Sequence, residues 1–219
     1  MTIIVHHLEN SRSQRILWML EELALPYEVK RYERDKATML APPELRRVHP
    51  LGKSPVIEDT DAPGASGPCV VAETGAIVEY LVDRADGKLG APARRDDALA
   101  YRFWLHYAEG SLMPPLLVKL VVSRIPLLGK RVAARIQPMI ERHLDFVEAS
   151  LADHPWFAGD IFTAADIMMS FPLEAARGRA GLGERHPNAT AWLERIHARP
   201  AYQRALAAGG PYAYARARP

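Results

Sequence analysis

Residues 54–74 constrain the fold of this 219-residue chain most strongly. A proline opens a β-branched run at Ser54-Pro55-Val56-Ile57-Glu58. A turn holding Pro63, Gly64, Gly67 and Pro68 follows, and a second run, Cys69-Val70-Val71-Ala72, ends at Glu73-Thr74, where a helical pattern begins. Two short strands joined by a Gly/Pro turn predict an antiparallel pair. An X-Pro bond at the mouth of a strand can be locked cis, which fixes how the preceding residue presents its backbone. Glu73-Thr74 at a helix start sets a carboxylate and a hydroxyl beside backbone N–H groups that have no intrahelical partner. Together these features suit a small zwitterion held by its backbone and its amine.

The rest of the first third completes an α/β unit. Residues 2–6 form a β-rich run, and Ser11-Arg12-Ser13-Gln14 has the form of a capping box with Ser11 at N-cap and Gln14 at N3. Ile16, Leu17, Leu20, Leu23 and Ala24 follow at helical spacing until Pro26, and residues 27–32 read as a second strand. A β-α-β start of this size predicts parallel strands. With a short helix near residues 42–47, the order is β-α-β-α-β-β-α, filling residues 1–85. Residues 86–93 are polar with Gly and Pro, which suits a linker. Residues 94–219 carry only helical patterns: 95–110, 113–123, 130–151, 163–178, 188–198 and 200–207, with a loosely packed tail from Gly209. Thr163-Ala164-Ala165-Asp166 is a second capping-box start and is assigned to stability.

Charge and cysteine content narrow the function. Lys and Arg total 28 against 26 Asp and Glu, too small an excess to point to nucleic acid. The single Cys69 excludes an internal disulfide framework and a Cys-based zinc site, suits a reducing compartment, and falls in a run expected to be buried. No basic and apolar leader opens the sequence, so the expected location is cytoplasmic. The most apolar stretch, residues 116–128, is interrupted by Lys119, Arg124 and Pro126 and is too short to span a bilayer; peripheral docking on membranes is the expectation it leaves open. His6, His7, His49 and His106 have no metal-ligand spacing, so no metal is expected.

Four pieces in order then carry a resemblance: Ser11 after the first strand, His49-Pro50-Leu51-Gly52-Lys53-Ser54-Pro55, Glu73-Thr74-Gly75-Ala76-Ile77 and Thr163-Ala164-Ala165-Asp166. On them the chain resembles the cytosolic glutathione S-transferase family, most closely a bacterial and fungal branch with a serine-type active-site loop. The resemblance implies a thioredoxin-like first domain, an all-α second domain that walls an electrophile pocket, a homodimer, glutathione as cosubstrate and a role in detoxification. It gives Ser11 the contact to the glutathione sulfur, with Ser13 and Asn10 as alternatives. Lys53, Ser54 and Pro55 would hold the glycyl and cysteinyl parts, and Glu73 and Thr74 the γ-glutamyl part. Trp104, Tyr107, Met113 and Leu116 would line the electrophile pocket. A hydroxyl donating to sulfur near a helix start favours the thiolate over a thiol of pKa about 8.5. Peroxide reduction, thiolysis or isomerisation on the same scaffold, or a binding module without catalysis, remain as alternatives.

Overall fold

The computed structural model describes residues 2–215. These fall into two compact units. Among the described residues, the first takes in Thr2–Leu89 together with Ala198–Ala213, and the second takes in Gly90–His197 with Tyr214 and Ala215.

The first unit holds a four-stranded sheet in the order β2-β1-β3-β4, with β1 at Ile3–Leu8, β2 at Tyr27–Tyr32, β3 at Val56–Asp59 and β4 at Cys69–Ala72. β1 runs parallel to β2 and antiparallel to β3, and β3 and β4 form the expected antiparallel pair. Helices α1 (Ser13–Leu23) and α3 (Thr74–Arg84) pack on the sheet and on each other, while α2 (Leu45–Val48) is one short turn. The core is Val5, Ile16, Leu20, Ile57, Ile77 and Leu81, all fully buried. Cys69 was expected to be buried, but β4 is an edge strand and the thiol is only half-buried.

Two features of this unit differ from the sequence expectations. The Ser11–Gln14 capping box does not form: Arg12 occupies the N-cap without a side-chain capping bond, and Gln14 is buried. Gln14 is buried because α9 (Pro200–Gly209), counted above among the helices after the linker, packs on α1. A Cβ on Gly209 would lie 2.5 Å from Gln14 Oε1 and 2.9 Å from Leu17 Cδ1, so any larger residue there would have to push these side-chain ends aside. Arg199 and Arg204 of this segment pair with Glu22 and Glu21 of α1.

The named elements of the second unit, among the described residues, are helices: α4 (Arg95–Tyr107), α5 (Met113–Val122), α6 (Gly129–Ser150), α7 (Ala164–Arg179) and α8 (Pro187–His197). α4 and α5 are joined by a π-helical turn over Ala108–Leu112 rather than by a break. Pro114 and Pro115 lack the N–H groups that would extend the α4 ladder, and their rings crowd the carbonyls one turn back, so the backbone widens there before α5 resumes. α7 is buried along most of its length. Its capping box forms as expected, yet Asp166 does more than cap. One carboxylate oxygen takes the Thr163 N–H (2.9 Å) and hydroxyl (3.2 Å), and the other takes the Phe157 N–H (3.1 Å) and the Trp192 indole N–H (3.2 Å). Burial raises this carboxyl to about pKa 6 despite those four donors. The expected loose tail is anchored as far as Tyr214, whose ring meets Phe171 and lies under Arg179; residues 216–219 are outside the described residues.

Candidate active site

Strand register gathers three of the sequence pieces at one end of the sheet. The pairing His6↔Val56 brings the end of β1 and the loop after it beside Ser54-Pro55. The pairing Val56↔Ala72 brings the same Ser54-Pro55 beside Glu73-Thr74. The Ser54–Pro55 peptide is cis. The Ser54 hydroxyl donates to the His6 carbonyl (2.7 Å) and lies 3.3 Å from the Leu8 N–H, so this side chain ties its loop to β1. Lys53 is exposed, and Pro55 is buried.

Ser11 and Ser13 belong to one buried chain of hydroxyls. Their Oγ atoms are 2.7 Å apart, and the Ser13 N–H donates to Ser11 Oγ at 3.2 Å. Ser13 Oγ lies 2.9 Å from His7 Nδ1 and also receives the Leu8 N–H at 3.2 Å. Burial, reinforced by the Arg31 charge, lowers His7 to a pKa of about 4, so the ring is neutral near pH 7 and carries one proton. The neutral ring carries its one proton on either nitrogen; with it on Nε2, Nδ1 is an acceptor at 2.9 Å from Ser13 Oγ, and the Leu8 carbonyl lies 3.3 Å away. With its own proton committed to Nδ1, Ser13 Oγ accepts from Ser11. In that tautomer the chain runs from Ser11 to Ser13 to His7.

That chain gives Ser11 a definite state. It is 6 % exposed, and in that tautomer its proton is directed inward at Ser13 and its remaining lone pair is what it offers outward. Asn10, the other alternative, has a backbone φ of +49° and accepts the Ala213 N–H through Oδ1 at 2.7 Å, so its amide oxygen serves to hold the chain after α9. Nothing in the sequence alone separates Ser13 from Ser11 or brings in His7; only the alternation along β1 that turns His7 inward hints at it.

Glu73 and Thr74 sit at the start of α3. Glu73 has φ +72° and ψ 128°, a conformation that non-glycine residues adopt only when the surroundings enforce it, and its carboxylate is exposed. Neither side chain caps the helix. The first N–H groups of α3 therefore carry no side-chain acceptor and present the positive end of the helix dipole to a carboxylate.

The four residues expected to line an electrophile pocket are all in the second unit and all buried. Tyr107 borders an open depression of about 400 Å³, along with Arg102, Phe103, His106, Gly110 and Ser111. Its hydroxyl is bonded to His143 Nδ1 at 2.5 Å, and burial pushes it up to about pKa 12. Trp104 instead packs among Tyr107, Phe146 and Phe157, and Met113 and Leu116 do not border the depression. Arg102 and His106 escape sequence reasoning because they are exposed polar residues on an amphipathic helix. Among the described residues, no group of three or more His, Cys, Asp or Glu side chains is placed to hold a metal.

Comparison with known proteins agrees with this architecture. Residues 11–84 match the family model of the glutathione S-transferase N-terminal domain, and residues 131–195 match that of the C-terminal domain. Glutathione S-transferase 3 of Schizosaccharomyces pombe is 36 % identical over 214 residues, covering 91 % of this chain and 84 % of the relative. The disulfide-bond oxidoreductase YfcG of Escherichia coli is 29 % identical over 194 residues, covering 88 % of each. A glutathione S-transferase from Actinobacillus pleuropneumoniae superposes with a TM-score of 0.84 at 35 % identity, covering 98 % of this chain and 96 % of that one. A glutathione transferase family member from Pseudomonas fluorescens, solved with two glutathione bound, superposes at 0.81 with 27 % identity over 93 % and 92 % of the two chains.

Proposed function

Because this chain belongs to the cytosolic glutathione S-transferase family, we propose that it binds glutathione on its first unit and delivers the sulfur as a thiolate to an electrophilic carbon. Glu73 faces the γ-glutamyl ammonium. The uncapped start of α3 at Thr74 takes the carboxylate of that residue. The Ser54 backbone pairs with the cysteinyl part, and Lys53 reaches the glycyl carboxylate. The sulfur lies beside Ser11. The observation that carries this proposal is the register that sets Ser11, Ser54-Pro55 and Glu73-Thr74 at one end of the sheet.

The chemistry asked of the chain is modest. The thiol gives up its proton to solvent, the new S–C bond forms, and the leaving group departs with its electron pair. Ser11 contributes by turning its hydroxyl from Ser13 to the sulfur. A charge-assisted bond of this kind is worth about 1.5–3 kcal/mol, against about 0.5–1.5 kcal/mol for the neutral bond it gives up. Bringing the two reactants together supplies the rest. A second reaction on the same site is favoured by the likeness to a disulfide-bond oxidoreductase. There the thiolate attacks a disulfide sulfur and one thiol leaves; a second glutathione thiolate then attacks the glutathione sulfur of the mixed disulfide, so that the other thiol leaves and glutathione disulfide forms. We place the protein in the cytoplasm as a homodimer built on α3 and α4, so sedimentation at twice 24.4 kDa is expected; a 24.4 kDa species alone at micromolar concentration contradicts the dimer.

The deciding experiment is the initial rate of glutathione conjugation to chlorodinitrobenzene, beside the rate of reduction of a small mixed disulfide, for wild type and Ser11→Ala. A conjugation rate that falls roughly tenfold or more in the variant, with glutathione affinity retained, supports the transferase reading and the role of Ser11. Disulfide reduction without conjugation supports the second reaction. No glutathione binding by the wild type refutes both.

A further inference from the structure

The turn between α5 and α6 is built to be apolar and outward. Leu117, Val118 and Val121 share one exposed face of α5, while Met113, Pro115 and Leu116 on the opposite side are buried. Beyond the helix the chain exposes Ile125, Leu127 and Leu128, with Leu127 fully exposed at 101 %. This is not a frayed loop. The Ile125 N–H is bonded to Val122 O (3.0 Å), the Leu128 N–H to Pro126 O (2.7 Å) and the Gly129 N–H to Ile125 O (3.0 Å). Gly129 lets the turn close, since a Cβ there would meet Val122 O at 2.4 Å. Leu127 is held at φ +65°, a left-handed conformation that is costly for a γ-branched side chain and has no packing return. A strained, ordered tip that aims two leucines at solvent calls for an occupant.

Charge identifies it. Between Glu109 and Glu141 there is no acidic residue, while Lys119, Arg124, Lys130, Arg131 and Arg135 are present. Lys119 is turned to Gln137 of α6, whereas Arg124, Lys130 and Arg131 are exposed around the apolar tip. A purely protein partner would have to match a bare leucine wedge ringed by uniform positive charge. An anionic lipid surface supplies both halves at once, acyl chains for the wedge and phosphate or carboxylate headgroups for the ring. No described helix is long and apolar enough to cross a membrane, so the contact is superficial. We propose that the α5–α6 turn docks this protein on anionic phospholipid bilayers, with Leu127 and Leu128 entering the headgroup–acyl boundary and Arg124, Lys130 and Arg131 lying at the headgroups. This goes beyond the glutathione reading and does not rest on it.

The test is cosedimentation of the full chain with phosphatidylcholine vesicles and with vesicles that also carry phosphatidylserine, at low and at high salt. Two variants accompany the wild type. Leu127→Asn/Leu128→Ser removes the wedge, and asparagine tolerates the left-handed backbone at 127, so this variant folds. Arg124→Gln/Lys130→Gln/Arg131→Gln removes the ring. Binding to the phosphatidylserine vesicles is expected, with little to phosphatidylcholine alone. The wedge variant should lose about tenfold or more in partitioning, and the ring variant about fivefold for each cation removed, an effect that high salt reproduces in the wild type. Wild type that stays in the supernatant overturns the proposal, as does a wedge variant that binds unchanged. A wedge variant that alters the sedimentation mass while no form binds vesicles assigns the face to a second copy of this chain and also overturns it.

Discussion

Replacing Ser13 by alanine should make the protein a better stabiliser of a glutathione thiolate and a less stable fold. With the His7 proton on Nε2, Ser13 gives its own proton to Nδ1 and the Ser11 proton of the unliganded chain is spent on Ser13 at 2.7 Å. Wild-type Ser11 must break that bond before it can donate to sulfur, and a neutral hydrogen bond of this kind is worth about 0.5–1.5 kcal/mol net. Without Ser13 nothing competes. The same amount then appears as a lowered thiol pKa, about half a unit to one unit at 1.36 kcal/mol per unit. Stability moves the other way. The substitution leaves His7 Nδ1 buried without its donor, at a cost of about 1–3 kcal/mol. The Leu8 N–H keeps Ser54 Oγ within 3.3 Å and is not orphaned. The assay is a pH titration of bound glutathione followed by the ultraviolet absorbance of the thiolate, for wild type, Ser13→Ala and Ser11→Ala, with thermal melts of each. The apparent pKa should fall in Ser13→Ala and rise by about one to two units in Ser11→Ala. The melting temperature of Ser13→Ala should drop by about 2–4 °C per kcal/mol lost. A pKa in Ser13→Ala equal to or above that of the wild type refutes the assigned direction of the hydroxyl chain.

Asp166→Ala should cost about 3 kcal/mol or more by urea unfolding, since it strands four buried donors at once, while Thr163→Ala costs about 1 kcal/mol as an ordinary lost cap; equal costs would show that Asp166 acts only as a cap. His7 has a folded pKa of about 4 against 6.5 unfolded, so the unfolded chain binds the proton first and stability is lost as pH falls through that window. Asp166, at about 6 against 3.8, works the opposite way, gaining stability as pH falls over the lower part of the same range. Comparing wild type with His7→Gln isolates the histidine: between pH 7 and about pH 5 the wild type should lose about 2 kcal/mol more than the variant, and parallel unfolding curves would contradict the buried neutral ring. Glu73→Gly should relieve a backbone held at φ +72° and stabilise the fold by about 1 kcal/mol while raising KM for glutathione; a destabilised variant would mean that the conformation carries no strain.

What the sequence made legible was set by local chemistry. Strand and helix identities followed from period and punctuation, so the antiparallel pair, read at 56–58 and 69–72 and observed at 56–59 and 69–72, and a helix beginning near Thr74 were readable. Where tertiary packing competes with local preference, the reading failed. Ser11-x-x-Gln14 has the residues of a capping box, yet burying the Gln14 side chain under Gly209 took precedence, and the signal for that lies some two hundred positions away in α9. The π-helical turn escaped for the converse reason: Pro114 and Pro115 announce a stop, and only the packing of α4 and α5 as one rod makes the backbone widen rather than break.

The site divides along the same line. Types and order of residues, Ser11, Ser54-Pro55 and Glu73-Thr74, were visible because each sits at a strand or helix end with its own sequence mark. The state of the nucleophile's neighbour was not. Whether Ser11 offers a proton or a lone pair turns on which nitrogen of His7 is protonated, a distinction no residue pattern carries. Gly209 of α9 neighbours both that ring and the Gln14 and Leu17 side chains of α1, so a substitution at Gly209 should be felt in the thiolate pKa as well as in stability.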